Sequence, residues 1–313
     1  MNKRTMIGKV KLSSFNIYRY NIVIVALFSA LLLFCSLSFF KQNFNKGIDV
    51  AGGIACEISC QNCDIKQIKN DISKKLKLKV ISQEINSGYI IKLPSNNDKN
   101  YSNIVNDIKT IINKDNYKKQ KVDIVRVDYV SPQMSSNFIK DAIDACIFAF
   151  ICIGLYMILR FNIKFAMSAI ISIIYDICMV ICFVNIKQIE ICLITLTAIL
   201  TIIGYCINDK IVIFDKIRDN LKINNNDEPK KIVLDGIKLV IRRSLLTSIT
   251  TIIVCTSLLF FGDRSIYELG ITINYGIIIG TLSSIFLAPS ILLLCKIEKN
   301  KKRIEKTPMF YAS

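Results

Sequence analysis

Hydrophobicity runs along this chain in two rhythms. Six stretches, roughly residues 21–40, 138–159, 165–186, 189–213, 239–261 and 266–295, are almost unbroken apolar sequence. A helix of about 20 residues crosses the roughly 30 Å of bilayer hydrocarbon, so each stretch predicts a membrane span. Between the first two, over residues 44–136, the pattern changes to short alternations and amphipathic stripes.

That segment predicts a domain of its own. "IACEISC" reads as a strand, and Ile65, Ile68, Ile72 and Leu76 mark one face of a helix. "KVISQEI" and "YIIKLP" flank "NSG" as a hairpin. Tyr101, Ile104, Ile108, Ile111 and Ile112 mark a second helix, and "VDIVRVDYV" alternates as a strand does. The order β-α-β-β-α-β is the ferredoxin-like arrangement. The predicted fold is an α-helical polytopic membrane protein with six transmembrane helices and one α+β ferredoxin-like domain outside the cytoplasm. That domain fold serves unrelated functions. The segment holds no carboxylate pair beside a base, no nucleophile constellation and no phosphate loop. No enzyme is expected, and contact with a protein is the predicted role. In "NKGIDVAGGIACEIS", Gly52 and Gly53 permit backbone angles or a close approach that a Cβ forbids. On the residues alone this is a turn at the domain entrance.

Composition supports the bilayer: 52% of the 313 residues are apolar, more than a soluble chain of this length readily buries. The net charge of +17 matters less than its distribution. With the N-terminus inside, the short inner segments carry 5 (residues 1–20), 2 (160–164), 8 (214–243) and 6 (from Lys296) lysines and arginines, against one each at 185–190 and 261–266. That bias places both termini, the basic 1–20 and the basic tail 296–313, in the cytoplasm. Residues 44–136 then lie on the periplasmic side, since long domains cross regardless of charge. The first apolar stretch is too long for a signal peptide and no cleavage site follows it, so it reads as a retained anchor.

Twelve cysteines are spread through the chain. Cys35, Cys146, Cys178 and Cys206 fall in apolar spans, where cysteine packs as a small hydrophobe. Cys56, Cys60 and Cys63 would face an oxidising compartment, where a disulfide and plain tolerance of cysteine both fit. With no histidine in the chain, no metal site is expected.

Of the ionisable residues within the spans, three stand out: Asp176 near the middle of the third, Asp209 near the inner end of the fourth and Arg243 near the inner start of the fifth. A charge at mid-membrane costs roughly 2.5–3.5 kcal/mol on insertion scales, so such groups pair or line a wet cavity. Antiparallel fourth and fifth spans bring Asp209 and Arg243 to similar depth and make them expected partners. Depth alone leaves two readings open: a carboxylate that gains and loses a proton, or an ion pair that sets helix register. Lys210, about 100° around the helix from Asp209, is expected to snorkel toward the headgroups. Gly276 and Gly280 are spaced for close helix packing, and Pro289 predicts a kink.

The sequence resembles the SecF family, the smaller membrane subunit of the bacterial SecD–SecF protein-export complex in the resistance-nodulation-division superfamily. The resemblance runs from about residue 21 to 295. "KGIDVAGG" is similar to the family's G-I-D-F-x-G-G entrance motif, and "RFNIKFAMSAIISIIYD" to the junction of spans two and three. "LTIIGYCINDKIVIFDKIRDN", with Gly204 and Asn208, is similar to the family's most characteristic segment, and "RRSLLTSITT" to the start of span five. The resemblance implies a partner, SecD, work beside the SecY-type channel on preprotein substrates, and the proton gradient of the inner membrane as energy source, with no bound cofactor and no nucleic acid. It puts the family's membrane aspartate on Asp209 and its arginine on Arg243, and aligns Asp176 with a further acidic position. It thereby favours proton coupling. Two positions depart from the pattern: Lys210 stands where threonine is usual, and Tyr175 where histidine often precedes the aspartate. Alternatives from other classes are a non-conducting scaffold subunit of the channel and half of a proton-driven small-molecule exporter.

Overall fold

The computed structural model describes residues 21–37, 44–45, 47–59, 65–76, 80–85, 88–94, 106, 110, 123–223 and 227–295. The basic segments at either end, Cys60, Cys63 and almost all of the second predicted helix of the external domain lie outside the described residues.

Outside the spans, a one-turn helix α2 (Ile48–Ala51) leads into strand β1 (Gly53–Ser59), followed by helix α3 (Ile65–Leu76) and strands β2 (Ile81–Ile85), β3 (Gly88–Pro94) and β4 (Asp123–Val130). The strands form one sheet in the order β2-β3-β1-β4 with antiparallel neighbours. Alternation explains the core: Ile54, Cys56 and Ile58 of β1 and Ile91 and Leu93 of β3 are buried on one face, covered from α3 by Ile72. Gly52 ends α2 at φ 72° and Gly53 starts β1 at φ 149°, angles that only glycine adopts without strain. The "AGG" turn thus sets the angle at which the chain enters the sheet.

Among the described residues, five helices are long and apolar enough to cross a membrane. They are α4 (Pro132–Arg160), α5 (Ile163–Ile186), α6 (Leu193–Ile223), α7 (Pro229–Phe261), and α8 (Arg264–Leu282) carried through a π-helical turn at Ser283–Leu287 into α9 (Ala288–Leu294). The N-terminal helix α1 (Asn21–Leu37) is also apolar, and its 17 described residues are fewer than the predicted span. It lies against α5 and α9, with Phe28 edge-on to Tyr175 at 5.4 Å. Helices α5, α6 and α8 make the interior, while α4 and α7 turn most of their apolar surface outward.

Several helices run past the predicted spans. Helix α4 starts at Pro132 because proline suits the first helical position and Ser131 Oγ accepts from Met134 N at 3.1 Å. Helix α6 continues to Ile223 on an amphipathic stretch that buries Phe214 and Ile217, with Asp215 bound to Arg218 at 2.9 Å on its polar side. Near Pro289 the helix is relieved one turn earlier, by the π turn.

The sheet domain is tied to the membrane helices through the loop between α5 and α6. Gly47 N donates to Ile191 O at 3.0 Å, and Ile191 N to Asn45 O at 2.8 Å. Leu193 N, at the start of α6, donates to Asp49 Oδ2 at 3.2 Å. Lys92 of β3 pairs with Glu190.

Candidate functional site

Asp209 is the seventeenth residue of α6, about 24 Å along the helix from Leu193 at 1.5 Å per residue. It and its neighbour Lys210 are both buried, at 5% and 0% exposure. Successive helical residues diverge by about 100°, so the two enter different environments.

Asp209 faces α7. Ser244 Oγ donates to Asp209 Oδ2 at 2.8 Å. From there a ladder of hydroxyls runs along the same side of α7: Ser248 Oγ bonds the Ser244 carbonyl at 2.9 Å and meets Thr281 Oγ1 of α8 at 2.7 Å, and Tyr205 OH donates to Ser248 at 3.1 Å. The expected partnership with Arg243 is not what the structure shows. Arg243 precedes Ser244 by one position, is exposed on the outer side of α7, and makes no ion pair with Asp209. Similar depth was the correct inference; the helical angle gave the inward position to the serine.

Lys210 faces about 100° around the helix from Asp209, into the interior among α5, α6 and α8. Its Nζ donates to Asp176 Oδ2 at 2.6 Å, to Ser284 Oγ at 3.2 Å and to Ser283 Oγ at 3.3 Å. All three ammonium protons are therefore used. This overturns the expectation that Lys210 snorkels: its stem is directed inward because a carboxylate with 1% exposure waits there. Ser283 and Ser284 open the π turn, and adjacent residues there both reach one ammonium. Their hydroxyls also donate to the Gly280 carbonyl, at 3.1 and 2.6 Å, which leaves lone pairs for Lys210. Asp176 Oδ1 is buried without a hydrogen-bond partner among the described residues, and so is Ser172 Oγ one turn earlier on α5.

Glycines bring these helices together. A Cβ on Gly276 would overlap the side chain of Ile202, and one on Gly280 would overlap Cys206 Sγ. These two residues are the seam along which α8 closes on α6. Gly204 and Asn208 lie elsewhere, on the exposed face of α6 with Thr197 and Thr201, and a Cβ on Gly204 would meet nothing within 4 Å.

Asp176, Asp209, Gly276 and Gly280 thus gather in the interior, while Arg243, Gly204 and Asn208 stay outside it, and Gly52 and Gly53 belong to the external domain. Sequence reasoning passed over Ser244, Ser283 and Ser284. The available signal was "RRS" beside the proposed arginine and the paired serines six and five residues before Pro289.

Comparison with known proteins follows the same outline. The family described as "Protein export membrane protein SecD/SecF, C-terminal" matches residues 110–298. A protein translocase subunit SecF from Rickettsia rickettsii is 32% identical over 293 residues, 92% of each chain. The protein of that name from Rickettsia typhi is 32% identical over 267 residues, 84% of this chain and 86% of its own. Among solved structures, SecDF, a translocon-associated membrane protein from Thermus thermophilus, superposes with a TM-score of 0.78 at 24% identity. The match covers 90% of this chain and 38% of that one, and at this identity the likeness is one of fold. The two Rickettsia relatives are translocase subunits by name.

Proposed function

The chain belongs to the SecD/SecF family of protein-export membrane proteins, and on that footing we propose that it is a subunit of the Sec translocation machinery that couples the proton-motive force to preprotein export. The observation that carries the coupling is Asp209, a carboxylate buried near the inner end of its span whose hydrogen-bond donor is the neutral hydroxyl of Ser244. A carboxylate clamped by a buried cation is held in one state. One held by a serine can take up and release a proton while keeping its hydrogen bond, because a hydroxyl both donates and accepts.

SecD is the proposed partner in the membrane. The exposed face of α6 supports this reading, since Thr197, Thr201, Gly204 and Asn208 form a small and polar stripe on an otherwise apolar helix. Such a stripe suits a neighbouring helix better than lipid, where an amide goes unsatisfied. The external domain is read as ferredoxin-like, its strand order being that of the split βαβ arrangement. Helix α1 is read as the first of six spans, both termini as cytoplasmic and the membrane as the bacterial inner membrane, with the SecY-type channel and preproteins as further partners.

The test uses inverted membrane vesicles that hold the full chain with SecD and the channel. Export driven by a proton gradient is expected to fall to the gradient-free level in Asp209→Asn, at unchanged amounts of assembled complex. Full proton-driven export by that variant would remove Asp209 from the mechanism. The scaffold reading keeps one observation in its favour, the clamping of Asp176 by Lys210, and predicts that outcome.

A further inference from the structure

We propose that Asp176, Ser283 and Ser284 form a monovalent-cation cage that Lys210 fills from within the chain, so that no soluble Na⁺ binds there and Na⁺ cannot serve as the coupling ion at this site. The Na⁺-binding clause stands by itself; its bearing on coupling rests on the function proposed above.

The geometry is that of a bound cation with oxygen ligands. Lys210 Nζ has Asp176 Oδ2, Ser284 Oγ and Ser283 Oγ at 2.6, 3.2 and 3.3 Å. Both serine hydroxyls lie within donating distance of the Gly280 carbonyl, an arrangement that leaves their lone pairs available to the ammonium. A fourth oxygen, Asp176 Oδ1, is buried beside them with no hydrogen-bond partner among the described residues. Hard alkali and alkaline-earth cations select carboxylate and hydroxyl oxygens of this kind. The charge balance selects valence. One carboxylate neutralises one positive charge, and a divalent ion would leave an uncompensated charge in an apolar interior. The ammonium differs from a free ion in being tethered to α6, which makes its local concentration effectively permanent.

Removing the tether exposes the cage. A shortened side chain at position 210 leaves the Asp176 carboxylate buried with no counter-charge, a state that is strongly disfavoured until the group takes up a proton or binds another cation, and in the proposed cage Na⁺ enters. Anything that binds only the folded state raises its stability by mass action.

The experiment is thermal unfolding of the purified full chain in detergent, in NaCl and in choline chloride of equal ionic strength. Wild type is expected to melt at the same temperature in both salts. Lys210→Thr is expected to melt lower in choline and to rise by several degrees with Na⁺, saturably. The double variant Asp176→Asn/Lys210→Thr keeps the hydroxyls, lacks the charge and is expected to ignore Na⁺. Should Lys210→Thr fail to fold in choline, its recovery in Na⁺ supports the cage equally. A Na⁺ response in wild type or in the double variant overturns the proposal. So does a Lys210→Thr that folds without a Na⁺ response, or one that fails in both salts while the double variant folds. Loss of proton-driven export in vesicles, by contrast, bears on the proposed function and leaves these melting shifts standing.

Discussion

Lys210 Nζ lies 2.6 Å from Asp176 Oδ2, and neither side chain reaches solvent. Taking one partner from a buried pair strands the other charge, at a cost of about 3–5 kcal/mol, whereas replacing both with apolar groups is often neutral. Lys210→Met is therefore expected to destabilise the chain by about 3–5 kcal/mol. Adding Asp176→Leu should recover most of that loss. Unfolding in detergent, in Na⁺-free medium, measures both. A double variant as unstable as the single would show that the lysine is held for another reason.

Asp209 makes the contrasting case. Ser244→Ala leaves its carboxylate short of a donor, at an expected cost of about 1–3 kcal/mol. Asp209→Asn keeps a partner for Ser244 and should fold normally while losing gradient dependence. Exchanging the charges, Asp209→Arg with Arg243→Asp, is expected to leave export defective, because Arg243 lies on the outer side of α7. Restored export in the exchanged chain would return the pair to a structural role.

Much of this was legible in the sequence, and the limits have a physical cause. Apolar runs located the five long membrane helices, a hairpin signature located β2 and β3, and short strand-like stretches, one of them alternating with period two, located β1 and β4. Depth in the membrane also follows from counting residues, which is why Asp176 and Asp209 stood out. Azimuth does not follow from counting. Whether position 243 or 244 of α7 faces Asp209 depends on how α7 is rotated against α6, and the next residue lies about 100° away. Lys210 was misjudged for a related reason. A lone lysine in a span is cheapest when it snorkels, and only the assembled helices bring Asp176 and the π-turn serines within its reach. The amphipathic residues after position 213, with Asp215 and Arg218 at i and i+3, read as a continuation of the fourth helix, whereas the overrun at Pro132 was missed because hydropathy marks lipid-facing length, while helix length is set by caps and by packing beyond the bilayer.

Two kinds of membrane glycine should respond oppositely. At Gly276 and Gly280 a Cβ meets Ile202 and Cys206, so alanine is expected to cost about 1–3 kcal/mol by overpacking. At Gly204 nothing lies within 4 Å, so alanine should stabilise the isolated chain by up to about 1 kcal/mol through helix propensity. Unfolding of the three variants in detergent separates the cases.

The same open position tests the partner face. Gly204→Leu should leave the isolated chain folded yet reduce its co-purification with SecD several-fold, since a large side chain holds helix backbones apart. Undiminished co-purification would place the partner on another face of the bundle.

Asp49 carries the last prediction. It belongs to the one-turn helix α2 of the external domain, yet its Oδ2 accepts from Leu193 N, the first residue of α6. The opening amides of a helix lack internal partners, and a carboxylate there satisfies one and opposes the positive end of the helix dipole. The domain thereby caps the helix that carries Asp209 and Lys210. Capping carboxylates contribute about 0.5–2 kcal/mol, so Asp49→Ala should weaken the first turn of α6 by that amount while the sheet stays intact. Hydrogen exchange is the direct measurement. Amides near Leu193 should exchange faster in the variant, at most about 30-fold for 2 kcal/mol, with those of β1 and β3 unchanged. Uniformly faster exchange across the sheet would instead assign Asp49 to the domain's own fold, and unchanged exchange at Leu193 would mean that α6 begins without its help.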